Sequence, residues 1–583
     1  MLKRGDFRMM YLVVVPILLF LNTVLYGENT IRINPRADNY LCRVIAANQM
    51  TANLAPYDIT TELNADQSVA PYAGSFTKSL QHDAVTGLLN ASGQENFQAL
   101  VHAIETADQV NFNEIVRAIG ASIQFKNPQG AYAHSLVGAP CAIIPIAPAP
   151  TISSPEAAAD IIENYLHAIC RSVAFDEYGT GEGTDVDTVN GGSITNNAAA
   201  ILTALGDAYQ GPKVDGEVTA GVLFRGNAVG DLVGPYISQF WWLPLHRNYT
   251  AYEEPQYFSI AQDREFGVTW DDFIDIENGI VPVPYEPSDF SGYRYIIDGR
   301  DVGTAVHNDP PAIFFFDAVN ILLYNRFPQA SNLPYFNGDM PNECQFVTMG
   351  IADIDAAIFT AAQEGLKNAW AHKWLGSRKV RPEAMAGLVH RAKVTDTNPF
   401  DLYETIFEEL AGIDLLAWVK EYNSQQGEGA DTYLLAQQYP EGSPDHPSYP
   451  AGHATFSSAS ATIVKAFFDD TELIATYTAP VKPDPSDPTK LVPLSEEEGA
   501  LLLTVGGELD KLASNIAIAR DFAGVHYRSD AEASVVLGEQ VGLKVLQNWA
   551  AIYHEQDFTG FELTLRNGQR VRVTKDGVTN ILS

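Results

Sequence analysis

The stretch His446-Pro-Ser-Tyr-Pro-Ala-Gly-His453, running on into Ala454-Thr-Phe-Ser-Ser-Ala-Ser-Ala-Thr-Ile-Val-Lys-Ala-Phe-Phe468, constrains this chain more than any other. Pro447 and Pro450 fix φ and withhold two N–H groups, so the approach is a stiffened loop. Gly452 lets the backbone come close to a bound group. A helix of small residues then begins near His453. Its first N–H groups have no intrahelical partner and sit at the positive end of the helix dipole. A helix start with a glycine approach and an adjacent histidine is a ready site for an oxyanion. Taken alone, the stretch reads better as a proline-rich loop entering a core helix. Residues on either side decide between the two.

The first of those stretches is Trp370-Ala-His-Lys373-Trp-Leu-Gly-Ser-Arg-Lys-Val-Arg381-Pro382, and the second is Arg520-Asp-Phe-Ala-Gly524-Val-His526-Tyr-Arg-Ser-Asp530. Together the three stretches supply Lys373, Arg381, Arg520, His453 and His526. The chain has 36 Lys plus Arg against 72 Asp plus Glu, a net charge of −36. That balance argues against nucleic acid and anionic membrane as partners. It also means that any anion site needs a local cluster of cations. Lys373 and Arg381 are eight residues apart, roughly 80° around a helix, so one continuous helix shows both on one side. Arg381 precedes Pro382, which disfavours the α region and ends that helix. Arg520 and His526 would face apart on one helix, but Gly524 permits a bend. His526 and Asp530, four apart, share a helix face. A carboxylate there would set which imidazole nitrogen stays free for a ligand. Each of these residues alone is an ordinary surface or core side chain; their joint spacing carries the inference.

The remaining pattern is mainly α, a large helical-bundle core with the site between helices and a few short β-hairpins. Ser154-Pro155 opens a helix to about Phe175, with Pro at the first helical position. Further helical patterns cover Phe97–Thr106, Phe112–Ile119, Asn196–Tyr209, Ala312–Tyr324, Gly350–Leu375, Leu402–Asn423 and Glu497–Arg520. The aromatic run Gly234–Trp242 reads as core or subunit contact. Glu177–Gly192 is a solvated acidic loop. Its Asp185 and Asp187 are of the type that binds calcium, but no spacing there matches a calcium cage. Thr478–Pro493 carries prolines and charge and reads as a surface loop. Phe561–Val573 alternates around Asn567-Gly568, a hairpin within 558–576 with a type I′ turn.

At the start, Lys3, Arg4 and Arg8 precede an apolar run from Tyr11 to Tyr26, so residues 1–26 read as a secretory signal, with an uncleaved anchor as the alternative. This implies a secreted or periplasmic protein. Residues 27–72 read as an irregular arm with a helix near Tyr40–Leu54, followed by one domain over 73–583 whose active part covers about 300–555. Cys42, Cys141, Cys170 and Cys344 are too widely spaced for a zinc motif; they form one or two disulfides, with three complete pairings open, or stay as buried thiols.

The three central stretches resemble those of the vanadium-dependent haloperoxidases, within the wider superfamily of vanadate- and phosphate-binding acid phosphatases. The superfamily pattern is matched by Lys373, Arg381-Pro382, Pro450-Ala451-Gly452-His453, Arg520, His526 and Asp530. The step from Lys373 to Arg381, and His446 before His453, are similar to the algal and cyanobacterial bromoperoxidases. Weaker similarity covers Ser75–Asp83, Gly234–Trp241 and Val306–Asp309.

The resemblance implies one vanadate per subunit, with His526 as its protein ligand. Lys373, Arg381, Arg520 and the Gly452 N–H would neutralise its oxygens, and His453 would act as acid–base towards hydrogen peroxide. Trp370 and His446 would shape the halide pocket, and Asp530 and Asp309 would stand behind the site, Asp309 pairing with an arginine. The implied activity is oxidation of bromide or iodide by hydrogen peroxide to hypohalous acid, which halogenates a small organic acceptor, in a homo-oligomer. The alternative is an acid phosphatase with His526 as nucleophile and His453 as general acid; a scaffold that has lost activity is the third reading. Two departures stand out. Ala451 replaces the family's serine and removes a hydroxyl worth roughly 1.5–3 kcal/mol to a charged partner, and Ala519 replaces another serine. They leave the halide open between bromide and iodide.

Overall fold

Some of the helices begin at a side-chain cap and others without one. The computed structural model describes residues 59, 70–106, 109–133, 144–247, 250–260, 264–282, 284–286, 289–336 and 340–581. All of these fall in the unit Tyr57–Ser583. The expected signal over 1–26 and the helix near Tyr40–Leu54 lie outside the described residues. Helix α1, Pro155–Cys170, has Ser154 as N-cap; its hydroxyl accepts from the Ala157 N–H at 3.1 Å. This satisfies one of the orphan donors at a helix start. Helix α2 spans Ile313–Tyr324, α3 Ile351–Ala371, α4 Pro382–Thr395 and α5 Gly452–Phe467. Helix α6 spans Val505–Phe522 and α7 Arg528–Ile552.

Helix α5 is the axis. Every residue of it but His453 is buried, and α7, α3 and α6 pack around it. Its small side chains permit close approach. A Cβ on Gly538 of α7 would lie 2.2 Å from the Thr455 carbonyl oxygen, and one on Gly542 would lie 2.6 Å from Thr462 Cβ. Substituting either would force the helices apart or leave a clash, at a typical overpacking cost of about 1–3 kcal/mol. The buried hydroxyls of Thr455, Ser460 and Thr462 donate to the carbonyls of Ala451, Phe456 and Ser458, each at 2.8 Å. Three hydroxyls of the polar stripe are thereby satisfied within the helix, while that of Ser457 is buried without a partner.

The strands are short antiparallel pairs: β1 Leu245–Arg247 with β2 Ala251–Glu253, and β3 Tyr257–Ile260 with β4 Phe290–Arg294. A third pair is β5 Val481–Asp484 with β6 Asp487–Pro493. The sheet near the C-terminus has three strands, β7 Phe561–Thr564, β8 Arg570–Thr574 and β9 Gly577–Asn580.

Several expectations are corrected. Thr478–Pro493 is not a surface loop but the β5–β6 hairpin. Its prolines are tolerated because a two-stranded ribbon has outward edges that need no N–H. The C-terminal turn is not type I′, which needs positive φ at both central residues. Gly568 has φ 83° while Asn567 is not in that region. The Gly568 N–H bonds to the Leu565 carbonyl at 2.8 Å, and the Leu565 N–H to that of Gln569 at 2.8 Å, so a left-handed glycine closes a longer loop. Asp185 and Asp187 are buried rather than solvated. Asp185 accepts from the Thr195 and Gly181 N–H groups and Asp187 from those of Val189 and Asn190, so both staple the loop. Within Leu402–Asn423 only Glu404–Phe407 and Leu415–Ser424 are helical. The stretch Phe112–Ile119 is helical only through Glu114. Cys170 and Cys344 are free, and Cys42 and Cys141 lie outside the described residues. Phe240, Trp241 and Trp242 are core, as the aromatic run predicts.

Candidate active site

Three chain breaks bring the motif residues together. After α3 the chain enters a wide turn over His372–Ser377, and Arg378 then takes a left-handed φ of 44°. Arg381 is extended, at φ −83° and ψ 157°, as the residue before Pro382. Lys373 and Arg381 therefore do not share a helix face; Arg381 starts α4 rather than ending α3, because a residue before proline avoids the α region. The second break follows Phe522. Gly524 has φ 79°, which turns the chain so that His526 returns towards Arg381. The third is the loop through Pro447 and Pro450 into α5.

Lys373, buried, donates from Nζ to the carbonyls of Pro447 at 2.7 Å and Ser448 at 2.6 Å. Arg381 donates to the carbonyls of His446 at 2.8 Å and Val525 at 2.7 Å. It also reaches His526 Nε2 at 3.2 Å and His446 Nδ1 at 2.9 Å. Arg520 donates to the Val306 carbonyl at 2.9 Å and the Tyr439 hydroxyl at 3.2 Å, and its Nε is buried without a partner. The cations feel one another. Burial first, and then Arg381, push the Lys373 ammonium well below its usual range. Burial lowers Arg381 to about 10, with Arg520 adding to the fall.

Among the described residues no carboxylate pairs with Lys373, Arg381 or Arg520. This sets them apart from the other large buried arginines. Arg171 and Arg300 hold Glu265, Arg528 holds Glu163, and Arg566 faces Asp231 and Asp510. An unpaired buried charge costs several kcal/mol, so a fold that keeps three together is built for an anion to join them. The start of α5 adds donors: Ala451, its N-cap, has no side chain to cap the first N–H groups, including that of Gly452.

The histidines are set by their neighbours. His526 Nδ1 lies 2.9 Å from Asp530 Oδ2. Arg381 has only protons to offer, so its contact at 3.2 Å makes Nε2 the lone-pair nitrogen. Both contacts select the Nδ1–H tautomer. Burial, and then Arg381, hold His526 well below the ordinary imidazole range, so the ring is neutral at pH 7. Asp530 is not one helical turn from His526 on a common face. It sits in the first turn of α7, and its Oδ2 also accepts from the Tyr527 N–H at 3.3 Å and from the Ser448 hydroxyl. Burial opposes ionisation of Asp530, yet Lys379 and the hydrogen bonds from His526 and Ser448 prevail and lower it.

His453 Nε2 lies 2.9 Å from Asp309 Oδ1. Asp309 was expected to pair with an arginine, and it pairs with this histidine instead. The carbonyl of Val306, three residues earlier, takes Arg520. Burial lowers His453, and Asp309 works against that fall. Trp370 and His446 stand with ring centroids 4.8 Å apart. The Trp370 indole N–H is tied to the Lys126 carbonyl at 3.0 Å, and burial and Arg381 hold His446 well below its usual range. Lys379, Ser448 and Asp160, which touch Asp530 or its neighbours, were not singled out from the sequence. Lys379 sits two residues before Arg381 and Ser448 within the proline loop, but nothing in their spacing marks them.

A helical bundle whose interior gathers unpaired cations, a helix start and a fixed imidazole lone pair defines an oxoanion-binding class of protein. Residues 402–555 match the family model described as the VCPO second helical-bundle domain. The chain is 31% identical over 558 residues to the vanadium-dependent bromoperoxidase of Corallina officinalis, covering 86% of this chain and 90% of that protein. It is 32% identical over 522 residues to the vanadium-dependent bromoperoxidase of Ascophyllum nodosum, covering 87% and 88%. The homohexameric structure of the second vanadate-dependent bromoperoxidase of Ascophyllum nodosum superposes with a TM-score of 0.81 at 27% identity, covering 94% of this chain and 92% of that one. The chain belongs to the vanadium-dependent haloperoxidase family.

Proposed function

We propose that the protein is a vanadate-dependent haloperoxidase that oxidises bromide, with iodide as the second halide, using hydrogen peroxide. The observation that carries this reading is the trio Lys373, Arg381 and Arg520, buried together with no carboxylate among the described residues to balance them. Lys373, Arg381, Arg520 and the Gly452 N–H would hold the oxygens of vanadate through charge-assisted hydrogen bonds. His526 would offer Nε2 to vanadium, because Asp530 occupies Nδ1. Bound vanadate supplies a Lewis acid that activates hydrogen peroxide towards halide without changing oxidation state.

The chain's own groups do the rest. With its Nε2–H given to Asp309, His453 would keep Nδ1 as the lone pair that takes a proton from hydrogen peroxide and returns it. Lys373 keeps one of its three donors after serving two carbonyls. That donor polarises an oxygen as charge develops on it. The Trp370 and His446 rings give a polarisable wall against which a halide and a small organic acceptor meet.

The names of the relatives weigh against the acid phosphatase alternative. Export through residues 1–26 and assembly of several copies belong to the same reading. The basic, then apolar, start of the chain supports export, and the homohexameric relative supports assembly. Among the described residues no helix is long and apolar enough to cross a membrane. The test is bromination of monochlorodimedone by the chelator-treated protein. Activity must require added orthovanadate, peroxide and bromide together. Phosphate-ester hydrolysis with no halide oxidation would replace this reading with the phosphatase one.

A further inference from the structure

Asp530 is held from a side that the motif residues do not include. Its Oδ2 serves His526, the Ser448 hydroxyl and the Tyr527 N–H. Its Oδ1 has a single partner among the described residues, Lys379 Nζ at 3.3 Å. Lys379 is buried, with its ammonium 4.0 Å from the centre of the Tyr527 ring. Its other contacts are the Ser529 hydroxyl at 2.9 Å and Asp160 Oδ2 at 3.3 Å. Asp160 comes from α1 and in turn accepts from the Ser529 N–H at 3.0 Å and from its hydroxyl. The Lys379 carbonyl accepts the Ser448 N–H at 3.1 Å. Ser448 is the residue whose own carbonyl takes Lys373.

We propose that Lys379 is a positioning residue for the oxoanion site, fixing Asp530 and through it the Nδ1–H tautomer of His526. The physical case is one of freedom removed. A carboxylate with one oxygen unpartnered in a buried place can rotate, and rotation releases the imidazole it holds. Lys379 blocks this by pinning Oδ1. Asp160 and Ser529 keep the ammonium from swinging towards solvent, and the cation–ring contact with Tyr527 adds to this. Lys379 also ties α1, the proline loop and the start of α7 to one point, so the ligand histidine is oriented by three separate chain segments. The Lys379 side chain touches neither the anion cradle nor the halide wall, and reaches the site through Asp530.

The inference rests on the oxoanion reading, and the test separates the two. Orthovanadate affinity of the metal-free chain is measured by equilibrium dialysis for the native protein, Lys379→Met and Lys379→Arg. The ring nitrogens of 15N-labelled histidine are followed in parallel, with the His526 signal assigned by its loss in His526→Gln. Lys379→Met is expected to weaken vanadate binding at least tenfold and to replace the single Nδ1–H pattern of His526 by a tautomer mixture. Lys379→Arg, which keeps the charge, is expected to lose less affinity than Lys379→Met and to keep one tautomer. An unchanged tautomer together with affinity within twofold in Lys379→Met would overturn the proposal. If that variant does not fold, Asp160→Asn carries the same two measurements, with a several-fold loss expected and no change contradicting. A native chain that binds no vanadate would remove the oxoanion reading, while the His526 ring signal would still decide the role of Lys379.

Discussion

His453 and Asp309 meet at 2.9 Å, Nε2 to Oδ1, although 144 positions separate them in the chain. Asp309 follows α-helical residues 299–305 by a short turn, and His453 opens α5. The pair therefore clamps the acid–base histidine of the proposed reaction from outside the helix that carries it.

Removing that clamp has a signed consequence. Burial lowers the His453 pKa and Asp309 raises it, so Asp309→Asn lowers it further. The acidic limb of the pH–rate profile should move to lower pH. The turnover rate should fall by about tenfold to a hundredfold, the lower part of the range for a displaced general acid–base group. Steady-state kinetics from pH 4 to 9 check both. An unmoved limb would show that His453 is not the titrating group.

Ala451 is the N-cap of α5 and carries no capping oxygen. Ala451→Ser restores one, and serine at this position typically adds about 0.5–2 kcal/mol. The hydroxyl also gains an anion to bind. Orthovanadate affinity should rise about tenfold, the equivalent of ~1.4 kcal/mol. The midpoint of thermal unfolding should rise even without vanadate. Calorimetry on both forms measures the two effects separately.

The motif residues were legible because their chemistry is unusual for so acidic a chain, and Arg-Pro, Gly-His and Arg-to-His spacings survive without any knowledge of the fold. The helix starts at Pro155 and Gly452 were legible for the same local reason, a cap or proline at the boundary. What was not legible is set by tertiary contacts. The wide turn after Ala371 breaks the helix geometry that appeared to align Lys373 with Arg381. Asp309 meets His453 rather than an arginine, while the Val306 carbonyl takes Arg520. Lys379 looks like any other lysine in a basic run until α1 brings Asp160 to it. The β5–β6 hairpin hides behind its prolines, since a ribbon edge needs no ladder from them.

A bound oxoanion should stabilise the fold by mass action. Orthovanadate at a hundred times its dissociation constant adds about 2.7 kcal/mol, and phosphate should give a smaller shift at the same site. Thermal unfolding of the chelator-treated protein, with each anion titrated in turn, measures this. Arg520→Met should abolish both shifts. Its retention of a vanadate shift would place the anion elsewhere.

Glu277 is a buried acid with Oε1 unpartnered, and burial, then Glu383, raises its pKa well above the carboxyl range. A raised folded pKa means that the unfolded chain releases this proton first as pH rises, so the group costs nothing below about pH 4 and costs more as pH climbs from there towards its folded value. Glu277→Gln keeps the shape and removes the titration. It should be near neutral at pH 4 and stabilise by roughly 1–3 kcal/mol at pH 8. Urea unfolding at the two pH values measures the difference, and an equal effect at both would show that Glu277 is ionised in the fold.

The most direct test of the account is the vanadium content of the chain itself. The metal-free protein is dialysed against limiting orthovanadate, and bound vanadium is counted in the native chain and in His526→Ala and Arg520→Met. The account predicts one vanadium per native chain and at least a hundredfold weaker binding in each variant. Equal binding by all three would contradict it, because the buried cations and the His526 lone pair would then have no part in holding the anion.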